Sequence, residues 1–301
     1  AGKYTVLERL GEGGMGVVYR GVDLTLARDV AIKTLPRVSP AHSQRMRREA
    51  RAMAAVDHAN LALIFAVEFW LGTPLLVVEY LPGGTLAERL GSHPLPIPTA
   101  VHLASTLAEV AGCIHEAGII HRDIKPSNIG YARDGTPKLL DFGLARIFQV
   151  ASGEEDRLGG RMAPGASAPS LRGLLARARA LPDEPLGTLT APGAVVGTLP
   201  YMSPEAVTGE PPDPSFDIWS ISVLLYEAVA GRNPVGNGSP YRVLARLVEV
   251  GFPDVREFRP DAPEGLAALL RGCLALERER RPASAAELHR RLRALAGARP
   301  A

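Results

Sequence analysis

"LGEGGMGVVYRGVDLTLARDVAIKTL", residues 10–35, decides the fold. Four glycines, Gly11, Gly13, Gly14 and Gly16, fall within six positions. Glycine loses the most backbone freedom on folding, so concentrating it in an ordered stretch needs a reason. The pattern G-x-G-x-x-G serves two kinds of nucleotide loop. In one, a strand turns through the glycines into a helix whose N-terminus meets a pyrophosphate. In the other, the glycines join two strands that close over phosphates. Residues 4–10 and 17–22 are rich in Val, Leu and Tyr and read as strands, and "DVAIKTL" (29–35) reads as a third. No helical period follows Gly16. The glycine stretch is therefore expected as a hairpin turn, and a dinucleotide-binding oxidoreductase is excluded.

Further along, "SQRMRREARAMAAV" (43–56) consists of strong helix formers with an apolar side at Met46, Ala50, Met53 and Ala54. "LALIFAVEFWLGTPLLVV" (61–78) has the length of a membrane span but carries Glu68 and the turn signal Gly72-Thr73-Pro74. It reads as two buried strands joined by a hairpin. "EYLPGGTL" (79–86) breaks the pattern and reads as a connector between two units. Beyond it the chain turns helical: long apolar helices over 98–117 and 217–230, amphipathic ones over 264–276 and 283–296. The expected fold class is thus α+β, a small, mostly antiparallel β unit with one helix followed by a larger helical one.

Composition narrows the function. The chain has 301 residues, 46% of them hydrophobic and 22% charged, enough to bury a sizeable core. Its net charge of +2 gives no reason to expect nucleic acid as a partner. Cys113 and Cys273 stand 160 residues apart, too few and too distant for a disulfide scaffold or a metal spacing, and read as buried free thiols. The opening "AGKYTVLERL" shows no signal pattern and no initiator Met, as expected of an excised domain.

Two further segments carry the chemistry: "HRDIKPSN" (121–128) and "DFGLAR" (141–146). With the glycine stretch, "VAIK" (30–33) and "SPE" (203–205), they follow the order and rough spacing of a protein kinase. From about residue 4 to 296 the chain resembles the eukaryotic-like Ser/Thr protein kinases, and its alanine- and arginine-rich style looks like the bacterial branch. The resemblance implies the bilobal kinase fold, with an N-lobe over 1–78, a hinge over 79–84 and a helical C-lobe over 85–301. It also implies ATP and Mg²⁺ as cofactors, with Mn²⁺ as a substitute, and protein substrates with Ser or Thr acceptors.

The family's roles carry over residue by residue. Phosphoryl transfer asks the protein mostly for positioning and charge stabilisation. Asp123 would orient the incoming hydroxyl, and Lys125 would contact the γ-phosphate. Lys33 would meet the α- and β-phosphates and pair with Glu49 on the following helix. Asn128 and Asp141 would hold Mg²⁺, a hard cation that prefers oxygen ligands. Thr198, in "GTLPYMSPE", would bond Asp123 and Lys125 and shape the substrate groove. The loop Gly11, Glu12, Gly13, Gly14, Met15 and Gly16 would cover the phosphates, with Met15 at its tip. Val18, Ala31 and Val78 would line the adenine pocket, with backbone contacts at Glu79 and Leu81. Glu205 would pair with Arg281. Met53, Ile64, His121 and Phe142 would stack as a spine anchored by Asp217, which makes His121 structural rather than a base.

The chain departs from the family twice. Gly130 stands where these kinases usually place a large apolar residue under the adenine, and the gatekeeper Val78 is small, so a roomy pocket is expected. The segment from Asp141 to Glu205 spans 65 residues, well beyond the usual length. Its Gly-, Ala-, Pro- and Ser-rich insert, about 147–194, includes "PSLRGLLARARALP" (169–182), a helical pattern carrying Arg172, Arg177 and Arg179. Arg122, just before Asp123, implies control by a phosphate on this segment. Thr188 and Thr190 are the first candidates, Ser167 and Ser170 weaker ones. Two other readings stay open: a pseudokinase that only binds, and a small-molecule phosphotransferase on a related fold. Pairing of two copies for activation, no membrane segment, and a cytoplasmic site (tethered, if at all, by sequence outside this chain) complete the expectations.

Overall fold

The glycine stretch does join two strands. In the computed structural model, which describes residues 2–13, 16–35, 47–48, 50–91, 93–140, 199–207, 210–236 and 251–297, β1 (Tyr4–Gly13) pairs antiparallel with β2 (Gly16–Asp23), ending in the pair Gly13–Gly16. Gly16 has φ 127°, and a Cβ there would lie 1.9 Å from the Thr34 carbonyl oxygen. Val17 N–H donates to Thr34 Oγ1 at 3.0 Å, and that hydroxyl donates to Val17 O at 3.1 Å. The base of the loop is thus pressed onto β3 (Arg28–Thr34), and only glycine allows the approach. Gly16→Ala is expected to lower unfolding free energy by roughly 1–3 kcal/mol, seen as a reduced urea midpoint. An unchanged midpoint would mean that the loop does not rest on Thr34.

The sheet continues through β4 (Ile64–Trp70) and β5 (Thr73–Glu79) in the antiparallel order β1-β2-β3-β5-β4. The β4–β5 turn falls on Leu71 and Gly72, at φ 48° and 79°. Thr73 and Pro74 join the strand instead of turning. A two-residue loop with both φ positive matches the strand twist, so the ladder closes earlier than the sequence pattern suggests. Cross-strand partners share a face. Ala31 opposite Val78 and Lys33 opposite Leu76 look toward the helical lobe, with Val18 beside them. Val30, Ile32 and Val77 pack on the other face against Tyr4 and Phe65. Residues 47–48 and 50–54 form α1. Ala50 and Met53 are buried as expected, but Ala54 is exposed, because one further residue turns it about 100° away from Met53.

The helical lobe centres on α5 (Ser215–Ala230), with 14 of its 16 residues buried. Around it lie α2 (Leu86–Leu90), α3 (Ile97–Glu116), α4 (Pro204–Val207), α6 (Glu264–Cys273) and α7 (Ala285–Gly297). The sequence expectations of helices at 98–117, 217–230, 264–276 and 283–296 correspond to α3, α5, α6 and α7. Thr85 caps α2 in a reciprocal box with Glu88. α3 is long and apolar enough to cross a membrane, yet its apolar residues, among them Leu103, Leu107 and Ile114, are buried in the same core as Trp219 and Leu288. Cys273 is buried on α6, and loss of hydration pushes its thiol up to about 11. Only the thiolate attacks a disulfide reagent. In native protein at pH 8, Cys273 is expected to resist Ellman's reagent until denaturant is added. Immediate release of its full equivalent would contradict that burial.

The short ribbon β6 (Ile129–Tyr131) and β7 (Pro137–Leu139) lies where the two lobes meet. Leu139 N–H donates to Asn60 O, and Ala62 N–H donates to Leu139 O. Lys138 Nζ meets the Glu79 carboxylate at 2.9 Å. Glu79 is the last residue of β5: its N–H donates to Leu63 O and it pairs with Val30.

Candidate active site

The loop 121–128 is held from beneath by one carboxylate. Asp217, on the first turn of α5 and fully buried, accepts from His121 N–H at 2.8 Å and Arg122 N–H at 2.7 Å. His115 Nε2, at the end of α3, donates to the same carboxylate at 2.8 Å. Three donors satisfy a buried charge that would otherwise be costly. They also fix Arg122 at φ 66°, a conformation rare outside glycine. His121 is buried with both ring nitrogens engaged. Nδ1 accepts from Asp123 N–H at 3.3 Å, so Nε2 carries the proton and donates to Leu140 O at 2.8 Å. A neutral imidazole used this way is a brace and not a base.

Above that base, Asp123, Lys125 and Asn128 come together, each less than a tenth exposed. Lys125 Nζ lies 2.9 Å from Asp123 Oδ1, an ion-pair distance without the alignment of a hydrogen bond. Asn128 Nδ2 donates to Asp123 O and to Asp123 Oδ2, both at 2.8 Å. With its nitrogen turned to Asp123, the Asn128 amide points its oxygen the other way. The 3₁₀ turn Pro126–Asn128 sets this up, closed by Asn128 N–H on Lys125 O at 2.9 Å. Asn128 O then receives Leu140 N–H at 2.8 Å. Leu140, the residue just before 141, is therefore held at its N–H by Asn128 and at its C=O by His121.

Across the cleft, Lys33 is buried on β3 in register with Leu76. Gly11 and Glu12 are exposed, and the Glu12 carboxylate is paired with Arg9. Val18 and Val78 are half-buried and Ala31 is buried. Met53 is buried in the main core, and Ile64 is half-buried against that core. Gly14, Met15, Glu49, Asp141, Phe142, Thr198, the 169–182 pattern, Ser167, Ser170, Thr188 and Thr190 lie outside the described residues. The room expected above Gly130 is taken: a Cβ there would lie 2.5 Å from Leu81 Cδ1 and 3.1 Å from Leu140 Cδ1.

Below the cleft, Arg281 and Glu205 form the expected pair, Nη2 to Oε1 at 2.7 Å and Nη1 to Oε2 at 3.2 Å. Arg281 also donates to Ala275 O and Leu276 O and lies over the Trp219 ring. Sequence reasoning missed Arg278, which reaches Glu210, Asp213 and, at 3.8 Å, Glu205. It also missed His115 on Asp217. Partners 102 residues apart leave no local signal, and for Arg278 the only hint was the arginine-rich "RERRP".

This donor set suits a nucleotide and a hard cation: a buried lysine opposite apolar walls, with a buried carboxylate and an amide oxygen below. The protein kinase domain model matches residues 4–164 and 182–292. Serine/threonine-protein kinase pkn2 of Myxococcus xanthus is 33% identical over 95% of this chain and 32% of its own length. Serine/threonine-protein kinase PknL of Mycobacterium tuberculosis is 31% identical over 83% of this chain and 55% of its own. The chain thus spans about a third to a half of these relatives. The crystal structure of the PknI kinase domain of Mycobacterium tuberculosis, solved as a point mutant, shares the fold, with a TM-score of 0.67 at 21% identity over 98% of this chain and 96% of that one.

Proposed function

The chain belongs to the protein kinase domain family, and we propose that it transfers the γ-phosphate of ATP to Ser and Thr hydroxyls of proteins, its own activation segment among them. The observation that supports this most directly is the buried cluster of Asp123, Lys125 and Asn128 at 2.8–2.9 Å. ATP supplies the phosphoryl group, and Mg²⁺, or Mn²⁺ in its place, offsets the phosphate charge when bound.

Each side chain then has a defined task. Asp123 accepts the hydrogen bond of the incoming hydroxyl and sets its direction. Lys125, held beside it, brings a positive charge to the γ-phosphate side of the site. The Asn128 amide oxygen, with Asp141, holds the cation. Lys33 pairs with Glu49 and faces the α- and β-phosphates. Backbone N–H groups of Gly11, Glu12, Gly13, Gly14, Met15 and Gly16 cover them. Val18, Ala31 and Val78 exclude water from the adenine, whose edge meets the backbone of Glu79 and Leu81. Thr198 steadies Asp123 and Lys125 beside the groove. The division into an N-lobe over 1–78, a hinge over 79–84 and a C-lobe over 85–301 belongs to the same reading. So do activation through a phosphate on Thr188 or Thr190 opposite Arg122, and pairing of two copies to deliver it.

The test is label transfer from γ-labelled ATP with Mg²⁺, to the chain itself and to a generic basic protein, followed by phosphoamino-acid analysis. Phosphoserine or phosphothreonine is expected. Binding of ATP without transfer under any of these conditions would favour the pseudokinase reading instead.

A further inference from the structure

Gly130 is the middle residue of β6 and is buried, a place where a glycine weakens a strand and is not needed for its conformation. Space explains it. The connector after β5 runs down along β6: Gly83 N–H donates to Tyr131 O at 2.9 Å, Tyr131 N–H donates to Gly84 O at 3.0 Å, and Thr85 bridges to Gly130 itself. That path lays Leu81 over Gly130, with Cδ1 2.5 Å and Cβ 3.4 Å from where a Cβ would stand. Leu140 closes the other side at 3.1 Å. Leu81 remains only half-buried, so part of its side chain still faces open space.

We propose that Leu81, reaching in from the connector over Gly130, is the apolar floor on which the purine ring of the nucleotide rests, and that Leu81 and Gly130 form one coupled unit. This rests on the nucleotide site proposed above. Ala31 and Val78, paired with each other on the sheet, would form the wall facing this floor. A floor carried by the connector makes the purine contact depend on the path of the connector, which is pinned to β6 through Gly83, Gly84 and Thr85.

The test is a double-substitution cycle on the full chain, using Leu81→Ala, Gly130→Leu and both together. Two quantities are read: Mg-ADP affinity by calorimetry, and the melting temperature without nucleotide. Leu81→Ala removes the floor and is expected to weaken Mg-ADP about tenfold, the effect of taking an apolar group out of a binding pocket. Gly130→Leu drives Leu81 toward the purine space and is expected to weaken Mg-ADP by a similar factor and to lower the melting temperature. The double variant restores a floor from β6. It should return to within about threefold of the wild type, where independent sites would add to about a hundredfold loss. Additive losses in both quantities would overturn the proposal. Coupling in melting temperature with unchanged Mg-ADP affinity would overturn the floor and leave only the packing. A wild type that binds no Mg-ADP would overturn the nucleotide site itself, and the floor with it.

Discussion

Asp123→Ala is expected to lower phosphate transfer by roughly 10³-fold, within the span usual for a lost proton acceptor, while leaving the fold and Mg-ADP binding in place. The loop does not depend on this side chain for its position. It is anchored through Asp217 to the backbone of His121 and Arg122, and through His121 to Leu140. What the substitution removes is the carboxylate that Asn128 and Lys125 both face. The hydroxyl then has no acceptor to orient it, and Lys125 loses the carboxylate 2.9 Å from its Nζ. Asp123→Asn keeps the shape but offers an amide instead of a carboxylate, and should lose nearly as much. The measurement is initial rate of label transfer, with Mg-ADP affinity and melting temperature as controls. A variant that kept more than about a tenth of wild-type transfer, well above the range for such a group, would remove Asp123 from its assigned role.

The largest effect on stability is expected from Arg281→Ala. The Arg281 side chain is fully buried, and that of Glu205 is 8% exposed. Removing one partner of a buried pair is strongly destabilising, at about 3–5 kcal/mol. Two carbonyls, Ala275 O and Leu276 O, lose their donor as well, and the Trp219 ring loses its cation. Arg278 offsets little, since its Nε stands 3.8 Å from Glu205 and its other nitrogens are engaged by Glu210 and Asp213. For a chain of this size the fall in melting temperature should be near 10 °C, at about 2–4 °C per kcal/mol. Arg281→Lys should fall in between, because an ammonium cannot make the two-pronged contact. Replacing both partners with apolar residues should recover most of the loss. A melting temperature unchanged in Arg281→Ala would refute the account of this pair.

What could be read from the sequence was local or carried by motif. Glycines followed by a strand separated a phosphate flap from a dinucleotide turn, because strand and helix periods differ within a few residues. Asp123, Lys125 and Asn128 were legible as a group because a short run of chain holds them together in one turn. Helical periods placed α3, α5, α6 and α7 to within a few residues. The tertiary structure decided what depends on the path of the chain. It brought Asp217 under residues 95 and 96 positions earlier and added His115 from 102 away. It turned Ala54 to solvent and closed the β4–β5 turn on Leu71 and Gly72. Most consequentially, it laid Leu81 into the space over Gly130, far along the chain, where sequence alone suggested an opening. Periodicity encodes which face of an element is apolar. It does not encode which distant side chain will come to cover it.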